Sequence, residues 1–251
     1  MPHREFSMEE VAEYLHLSRE DVERLMREAE MPHQQRGQRI VFQRGEVDAW
    51  ASRRILGLSG KRLDAYHRRS LDGLREIFPH DALIPDLIEP GYIELELPSK
   101  TKPSVIRDMV ALAERTGRVF EPRELVQAVE AREALYPTAI EGGMALLHAR
   151  HHEDYRFEGS FVVLGRTLQP VGFGAPDGQA TTLFFLLCCE DERLHLHTLA
   201  RLCMMAGKTH LTSQLRNAPD AETAYQAMLA AEREVLPAAP DGASADGSAG
   251  D

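Results

Sequence analysis

Residues 132–150, with the sequence REALYPTAIEGGMALLHAR, decide how the larger part of this chain folds. The first of them end an amphipathic helix, because Pro137 lacks an amide hydrogen and clashes with the preceding turn. Residues 138–143 favour a short extended segment followed by a glycine turn. The apolar run 144–147 predicts a buried strand, and this strand delivers His148 at its end.

Three side chains of this region are candidates for chemistry, namely Arg132, His148 and His195, the last of which opens a helix in the sequence LHLHTLARL. An imidazole has an ordinary pKa of about 6.5, so most of it is neutral near neutral pH and able to act as a nucleophile. An arginine stays charged and suits phosphoryl oxygens. A single histidine at a strand end is more often structural, so the interpretation depends on the three residues together.

These segments resemble the enzyme IIA domains of the phosphoenolpyruvate-dependent phosphotransferase system, of the fructose/mannitol and nitrogen-regulatory type. Members of that family carry an Arg-Glu pair at a helix end, here Arg132-Glu133, followed by a T-x-I-x-x-G turn, here residues 138–143. They also carry an apolar run that ends in a histidine, here His148, and later an HLxxLAxL helix, here residues 195–202. The resemblance covers about residues 79–235. The family usually has proline before the histidine, where this chain has Leu147, and this difference bears on activity more than on fold.

The resemblance implies an α/β (α+β) domain over residues 79–236, with a mixed central sheet flanked by helices. It implies that His148 accepts a phosphoryl group, that Arg132 stabilises the phosphoryl oxygens and that His195 donates a hydrogen bond to them. Thr138 and Gly142 are further candidates for lining the phosphoryl pocket. The implied partner is a phospho-HPr-like phosphocarrier protein, and neither a metal nor a cofactor is expected.

The histidines of this region permit one alternative, a zinc site formed by His148, His151, His152 and His195. The spacing H-x-x-H-H is not a strong zinc signature, and no cysteine joins it. The sequence also contains no P-loop and no dinucleotide-binding fingerprint. Phosphoryl transfer is therefore preferred over metal or nucleotide chemistry.

Charge divides the chain into two parts. Residues 1–78 contain 14 Lys and Arg against 14 Asp and Glu, whereas the remainder contains 15 against 26 and so carries the whole net charge of −11. Ten of the basic residues of the first part fall within residues 36–75. A basic segment joined to an acidic domain indicates two partners with different surfaces.

Residues 1–56 predict a small, mostly helical unit. Ser7 and Ser18 each precede a helix as its cap, residues 34–42 predict a hairpin, and a helix bearing Trp50 follows. This order resembles the excisionase/MerR-like winged helix-turn-helix family. The matching segments are SMEEVA at residues 7–12, LS at 17–18, the hairpin at 36–42 and VDAW at 47–50.

In that family the second helix enters the major groove of DNA and the wing contacts the backbone. The resemblance therefore implies DNA contacts by Arg19, Arg24, Arg27, Arg36 and Arg39. In the alternative interpretation these arginines form a solvated face balanced by Glu20, Glu23 and Glu28. Because residues 1–78 carry no net charge, one copy is expected to bind weakly, and a homodimer or another partner would be needed for tight binding.

The remaining segments complete the domain plan. Residues 57–78 predict a connecting helix, which is either a linker or a dimerisation helix. Alternation and apolar runs predict strands at residues 92–97, 160–165, 169–173 and 181–189. Residues 237–251 are rich in Ala, Gly, Ser and Asp and are expected to be disordered.

Several classes of protein are disfavoured. No apolar run approaches the roughly 20 residues of a membrane helix, and the N-terminus has no apolar signal region, so a cytoplasmic protein without membrane insertion is expected. Cys188, Cys189 and Cys203 lie in apolar surroundings and are expected to be buried free thiols.

The two resemblances together predict a regulator in which the phosphorylation state of His148 is communicated to a DNA-binding domain. The alternative is a non-catalytic enzyme IIA-like binding module, or a transcriptional regulator, that has lost phosphotransfer through the change at Leu147.

Overall fold

The computed structural model of the chain describes residues 5–15, 17–28, 31–74, 81–149 and 157–236. Three predicted features lie outside these ranges, namely the end of the connecting helix beyond residue 74, the pair His151 and His152, and the tail at residues 237–251.

The N-terminal unit combines three helices with a small antiparallel sheet of order β1-β3-β2. Its elements are β1 (Glu5–Phe6), α1 (Met8–Tyr14), α2 (Arg19–Arg27), β2 (Gln34–Arg36), β3 (Arg39–Gln43) and α3 (Arg44–Leu56).

Capping fixes the first two helices of this unit, as the sequence predicts. The Ser7 hydroxyl accepts a hydrogen bond from the Glu10 amide while the Glu10 carboxylate accepts one from the Ser7 amide, and the Ser18 hydroxyl accepts from the Asp21 amide. Gly37, with φ of +63°, makes the tight turn between β2 and β3. The helix-turn-helix and its wing are therefore formed.

The rest of the described chain forms a sheet with helices on both faces. Its elements are α4 (Gly60–Leu74), α5 (Ile84–Leu87), a 3-10 turn (Pro90–Tyr92), β4 (Ile93–Leu97), α6 (Lys102–Glu114), α7 (Pro122–Leu135), β5 (Ala139–Ile140), β6 (Met144–His148), β7 (Phe161–Val171), β8 (Thr181–Cys188), α8 (Glu192–Lys208), α9 (Leu211–Asn217) and α10 (Ala221–Val235).

Within the described residues the sheet has the order β4-β7-β8-β6-β5. β4 is parallel to β7 and β6 is parallel to β8, whereas the β7–β8 and β5–β6 pairs are antiparallel, so the sheet is mixed as expected. The prediction of two strands at residues 160–165 and 169–173 was wrong. One strand, β7, spans this region, and its irregular pairing between Arg166 and Val171 accommodates Pro170 without ending the strand.

The two faces of the sheet belong to different apolar clusters. Ala145 and Leu147 of β6 pack in the cluster that contains α6 and α7, whereas Met144 and Leu146 pack in the cluster that contains α8 and α10. Because side chains alternate along a strand, His148 shares the face of Leu146 and is directed towards α8.

A buried polar network attaches α4 to α8, so the predicted connecting helix is packed into the core. Arg201 on α8 donates to His67 Nε2 (2.7 Å), pairs with Glu232 and donates to the Asp81 carbonyl (3.0 Å). His197 stacks on His67 with 4.6 Å between ring centroids. Burial and the Arg201 charge lower the pKa of His67 to about 3, so its ring is neutral.

Two further expectations concern the same core. Cys188, Cys189 and Cys203 are buried free thiols, as predicted. No helix among the described residues combines the length and the apolar character that a membrane crossing requires.

Candidate functional site

The parallel pairing of β6 and β8 brings the sequence-predicted histidines together. His148 ends β6 at the edge of the sheet where β8 also ends, and α8 begins just beyond that edge. The ring centroids of His148 and His195 are 4.8 Å apart. Asp191 fixes the start of α8, because its carboxylate accepts hydrogen bonds from the amides of Arg193 (2.8 Å) and Leu194 (3.1 Å).

Arg132 completes this cluster from the last turn of α7. Its Nε donates a hydrogen bond to His148 Nε2 (3.0 Å), and its Nη1 donates to the Tyr136 carbonyl (2.9 Å). Only 2% of Arg132, 2% of His148 and 1% of His195 is exposed, so the cluster is buried. The structure therefore brings together the three residues that the sequence singles out as catalytic candidates.

The hydrogen bonds of His148 define its tautomer. Nδ1 lies 2.9 Å from the Leu146 carbonyl oxygen, which only accepts, so the ring proton is on Nδ1. Nε2 then carries the lone pair, which agrees with its role as acceptor from Arg132. The nitrogen that faces Arg132 is the nucleophilic one.

The electrostatics of Arg132 suit an anion. Burial lowers the pKa of its guanidinium, the neighbouring Glu133 carboxylate raises it, and the positive charge of Arg53 lowers it further. Arg132 Nη2 is buried and has no hydrogen-bond partner within the described residues. A buried cation with a donor to spare is favourable for binding phosphoryl oxygens.

Glu133 and Lys102 support the end of α7 that carries Arg132, and neither was a predicted site residue. Lys102 Nζ lies 2.7 Å from Glu133 Oε1, while Glu133 Oε2 accepts from the Thr138 amide (3.0 Å) and hydroxyl (2.6 Å). Thr138 therefore orients Glu133 at the end of α7. The Arg-Glu pair at residues 132–133 could have indicated a role for Glu133. No local pattern indicates Lys102, because it lies 31 positions from Glu133 in the sequence.

Gly142 lies away from this cluster. It precedes β6, at the opposite end of that strand from His148, and β6 alone spans about 13 Å from Met144 to His148 at ~3.3 Å per residue. Its φ is +84°, and its amide donates to the Asp177 carboxylate (2.9 Å). Gly142 shapes the β5–β6 turn in this arrangement.

Metal binding gains no support from the part of the chain that the structure describes. Among those residues no group of three or more His, Cys, Asp or Glu side chains is arranged to hold a metal ion. His151 and His152, which the zinc interpretation requires, lie outside them.

Four of the five arginines predicted to contact DNA line one of two grooves. A groove of about 1030 Å³ beside the wing is lined by Arg19, Arg36 and Arg39. Arg24 instead lines a groove of about 630 Å³ between α2, α3 and α4. Arg27 is exposed and lines neither of these two grooves.

Ion pairs support part of the alternative interpretation of these arginines. Arg19 pairs with Glu23 at 3.1 Å and with Glu9, Arg24 pairs with Asp21, and Arg36 pairs with Glu5 at 2.8 Å. The described residues give no ion-pair partner to Arg27 or Arg39. Exposed ion pairs contribute only about 0–1 kcal/mol, so DNA phosphates can replace the carboxylates.

The second groove also contains cations from α4 that were not among the predicted DNA contacts. They are Lys61, Arg62 and Arg69, joined by Arg54 at the end of α3. The excess of basic residues at 36–75 was the sequence signal for this surface.

Comparison with known proteins agrees with both units. The family model for the phosphoenolpyruvate-dependent sugar phosphotransferase system, EIIA 2, matches residues 86–231, which is more than half of the chain. A helix-turn-helix domain model matches residues 5–55.

Individual relatives match the same region. The nitrogen regulatory protein of Bradyrhizobium diazoefficiens is 30% identical over 148 residues, which are 58% of this chain and 94% of that protein. The nitrogen regulatory protein of Pseudomonas aeruginosa is 28% identical, over 56% of this chain and 90% of that protein. The fructose-specific EIIABC component of Bacillus subtilis is 27% identical over 54% of this chain, and the match spans only 21% of that longer protein.

Solved structures show the same fold. The nitrogen regulatory protein IIA-Ntr of Neisseria meningitidis is 26% identical with a TM-score of 0.51, covering 59% of this chain and 99% of that structure. The IIA mannitol structure from Escherichia coli is 21% identical with a TM-score of 0.50, covering 56% of this chain and 98% of that structure, and at this identity it supports the fold alone. The chain therefore belongs to the EIIA 2 family of the phosphoenolpyruvate-dependent sugar phosphotransferase system, with a helix-turn-helix domain preceding the EIIA domain.

Proposed function

We propose that this protein is a phosphohistidine carrier of the phosphotransferase system, coupled to a DNA-binding domain, and that it acts as a phosphorylation-responsive regulator in the cytoplasm. The observation that carries the proposal is the orientation of His148. Its Nδ1 faces the Leu146 carbonyl, and its Nε2 lies 3.0 Å from Arg132 Nε, so a neutral ring presents its lone pair beside a cation.

The proposed step is an exchange between two histidines. Nε2 of His148 attacks the phosphorus atom carried by an HPr-like donor. A new N–P bond forms as the donor's N–P bond breaks, and the donor's imidazole keeps the electron pair of that bond. No redox partner or metal is needed. Positioning and charge stabilisation supply most of the catalysis of such transfers.

Each neighbouring side chain has a role in this scheme. Arg132 turns its guanidinium from Nε2 to the equatorial phosphoryl oxygens as the N–P bond forms. His195, whose ring centroid is 4.8 Å from that of His148, donates to a phosphoryl oxygen. Lys102, Glu133 and Thr138 hold the end of α7 that positions Arg132.

The N-terminal domain is proposed to bind DNA through α2 and the wing. The groove lined by Arg19, Arg36 and Arg39 is exposed, and arginine binds phosphate and guanine with its forked donors. Because residues 1–78 have no net charge, we propose that tight binding requires two copies on one site.

A second candidate function is a binding module without phosphotransfer. Two observations favour it, namely Leu147 in place of the family's usual proline and the burial of His148, which is 2% exposed. In this case the same domain would act by protein contact alone.

Phosphorylation with purified components separates the two candidates. Wild type and His148→Gln are incubated with phosphoenolpyruvate, enzyme I and HPr, or with their nitrogen-branch counterparts, and intact masses are measured before and after acid treatment. The proposal expects one acid-labile phosphoryl group on wild type and none on the variant. Wild type that gains no phosphoryl group from any of these carriers would establish the binding module instead.

A further inference from the structure

The groove of about 630 Å³ between α2, α3 and α4 concentrates positive charge from all three helices. Its cationic lining side chains are Arg24 of α2, Arg54 of α3, and Lys61, Arg62 and Arg69 of α4. Among the described residues that line it, Glu28 is the one carboxylate. Asp21 adds a second carboxylate nearby, because it pairs with Arg24 and Arg69. Five cations against two carboxylates leave an excess of three positive charges.

The cations of this groove differ in what they already contact. Asp21 holds Arg24 of α2 and Arg69 of α4 close together, with Arg69 Nη1 3.5 Å from Asp21 Oδ2. Lys61 and Arg62 are exposed, and within the described part of the chain neither has an ion-pair or hydrogen-bond partner. The groove therefore combines two positioned cations with two that are available to an anion.

The buried lining side chains, which form the floor of the groove, are apolar. Leu25 is 2% exposed and Tyr66 8% exposed, and both line the groove together with the half-buried Leu17 and Leu58. A concave site of several hundred Å³ with apolar walls and a few charged groups is the usual form of a small-molecule site.

The combination of an apolar floor with exposed cations distinguishes two kinds of phosphate ligand. Duplex DNA could bring phosphates to the cations, but its bases stay stacked, so it would leave the floor unfilled. A small molecule that joins phosphates to a ring could satisfy both parts of the groove, because arginine binds phosphate with its forked donors and the ring can pack on the floor.

We propose that this groove is a binding site for a nucleoside diphosphate. Its phosphates contact Lys61 and Arg62 of α4 and Arg24 of α2, and its base packs against the floor beside Tyr66. The site lies outside the cluster of Arg132, His148 and His195, and the proposal does not depend on phosphoryl transfer.

A ligand in this groove would also restrict the helix-turn-helix domain. The groove joins α2, the proposed recognition helix, to α4. α4 is in turn attached to α8, since Arg201 donates to His67 Nε2 and Ser70 Oγ lies 2.7 Å from His197 Nδ1. A ligand that contacts both α2 and α4 would therefore fix the recognition helix relative to α8.

Calorimetric titration of the full-length protein tests the proposal. The probes are ADP, GDP, CDP and UDP, with inorganic pyrophosphate and the matching nucleoside as the two halves of the ligand. We expect at least one nucleoside diphosphate to bind once per chain. Pyrophosphate should bind about tenfold more weakly because it lacks the packed base, and the nucleoside should bind more weakly still because it lacks the charge.

Lys61→Gln and Arg62→Gln locate the site, and Arg68→Gln is their matched control. Each substitution is expected to weaken nucleotide binding about tenfold, because each removes a charge-assisted hydrogen bond to phosphate. Arg68 is exposed on the same helix and does not line the groove, so its substitution removes the same charge and should leave the affinity at the wild-type value.

Trp50, the only tryptophan in the sequence, supplies a second measure of location. The guanidinium carbon of Arg54 lies 5.2 Å from the centroid of the Trp50 ring, and Arg54 lines the groove. Nucleotide binding should therefore change the tryptophan emission, with the same dissociation constant that calorimetry gives.

Failure of all four nucleoside diphosphates to bind at millimolar concentration would overturn the proposal. Binding that Lys61→Gln and Arg62→Gln leave unchanged would place the nucleotide elsewhere, and equal affinity for pyrophosphate would remove the role of the floor. A salt dependence of DNA binding that changes with Arg62→Gln would assign the groove to DNA instead. None of these results bears on whether His148 accepts a phosphoryl group.

Discussion

At His148 the two ring nitrogens have different surroundings, because Nδ1 faces the Leu146 carbonyl and Nε2 faces the Arg132 guanidinium. The arrangement itself forms no covalent bond. It holds a neutral ring in one tautomer and places a cation where negative charge would arrive, so the function of the site depends on the shape of the arginine as well as on its charge.

Substitution of Arg132 separates shape from charge. Arg132→Gln is expected to slow single-turnover phosphoryl transfer by about 10²–10³-fold, the usual cost of losing a charge-stabilising donor. Arg132→Lys keeps the charge but loses the fork that reaches both His148 and the Tyr136 carbonyl, and is expected to slow transfer by about tenfold or more.

Arg123→Gln, an exposed substitution in the first turn of the same helix, serves as the control and should transfer at the wild-type rate. Circular dichroism would verify that all three variants are folded. Transfer by Arg132→Lys at the wild-type rate would contradict the importance of the forked geometry.

Leu147 occupies the position before His148 at which the resemblance to the family leads us to expect a proline. Its side chain is fully buried against the α6–α7 face, and its amide points towards β8, because the preceding Leu146 amide donates to Thr138 on the other side. Leu147→Pro removes both contacts, so the free energy of unfolding should fall by about 2–4 kcal/mol.

The same variant should not transfer the phosphoryl group faster, because the His148 ring is already oriented by its own two hydrogen bonds. Denaturant unfolding and single-turnover transfer measure the two effects. A faster transfer at unchanged stability would show instead that the family's proline governs how the ring is presented.

At the scale of elements, α8 carries His195 of the candidate site and also packs against α3 of the helix-turn-helix domain. Glu192 in its first turn is buried beside Arg44 and Tyr14 of the N-terminal unit. Burial raises the pKa of Glu192 to about 8, with Arg44 opposing and Asp191 adding to the effect.

The sign of the resulting pH dependence follows from proton counting. Between pH 4.5, the ordinary pKa of glutamate, and about pH 8, the folded protein holds a proton on Glu192 that the unfolded chain releases. This residue therefore makes the free energy of unfolding fall as pH rises through that window. Glu192→Gln should remove the dependence and be more stable than wild type by about 3 kcal/mol at pH 7, with little difference at pH 4.5.

Urea unfolding at several pH values tests this expectation. The control is Glu222→Gln, at an exposed position in the first turn of α10. If the difference in the free energy of unfolding between wild type and Glu192→Gln does not grow with pH, the pKa of Glu192 is not raised in the folded protein.

At the scale of the whole molecule, two grooves lined by arginines are candidates for the proposed DNA contact. The groove beside the wing contains Arg39, and the groove between α2, α3 and α4 contains Arg62. If DNA follows the wing, Arg39→Gln should reduce the slope of log affinity against log salt by about one, because one phosphate contact is lost. Arg62→Gln carries the same charge change and should leave the slope unaltered.

Electrophoretic or fluorescence titration of DNA at a series of salt concentrations measures these slopes. The reverse result, a changed slope with Arg62→Gln and an unchanged slope with Arg39→Gln, would indicate that DNA binds in the groove between α2, α3 and α4.

The sequence carried much of this architecture because its signals are local. Caps at Ser7 and Ser18 and the alternation of apolar residues predict individual helices and strands. The helix-turn-helix, the mixed sheet and the shared site of Arg132, His148 and His195 are instead what the resemblance to two known families implies. The other contacts join distant positions. His67 and Arg201 are 134 positions apart, and no periodicity pairs them. The docking of α3 on α8 depends on tertiary packing and could not be predicted from local sequence.

Nuclear magnetic resonance of the phosphorylated wild-type protein tests the central claim most directly, because phosphorus-coupled imidazole signals identify the nitrogen that carries the group. The arrangement at His148, with Nδ1 directed at the Leu146 carbonyl and Nε2 at Arg132, predicts a single phosphoryl group on Nε2. A phosphoryl group on Nδ1 of His148, or on any other side chain, would contradict this account of the site.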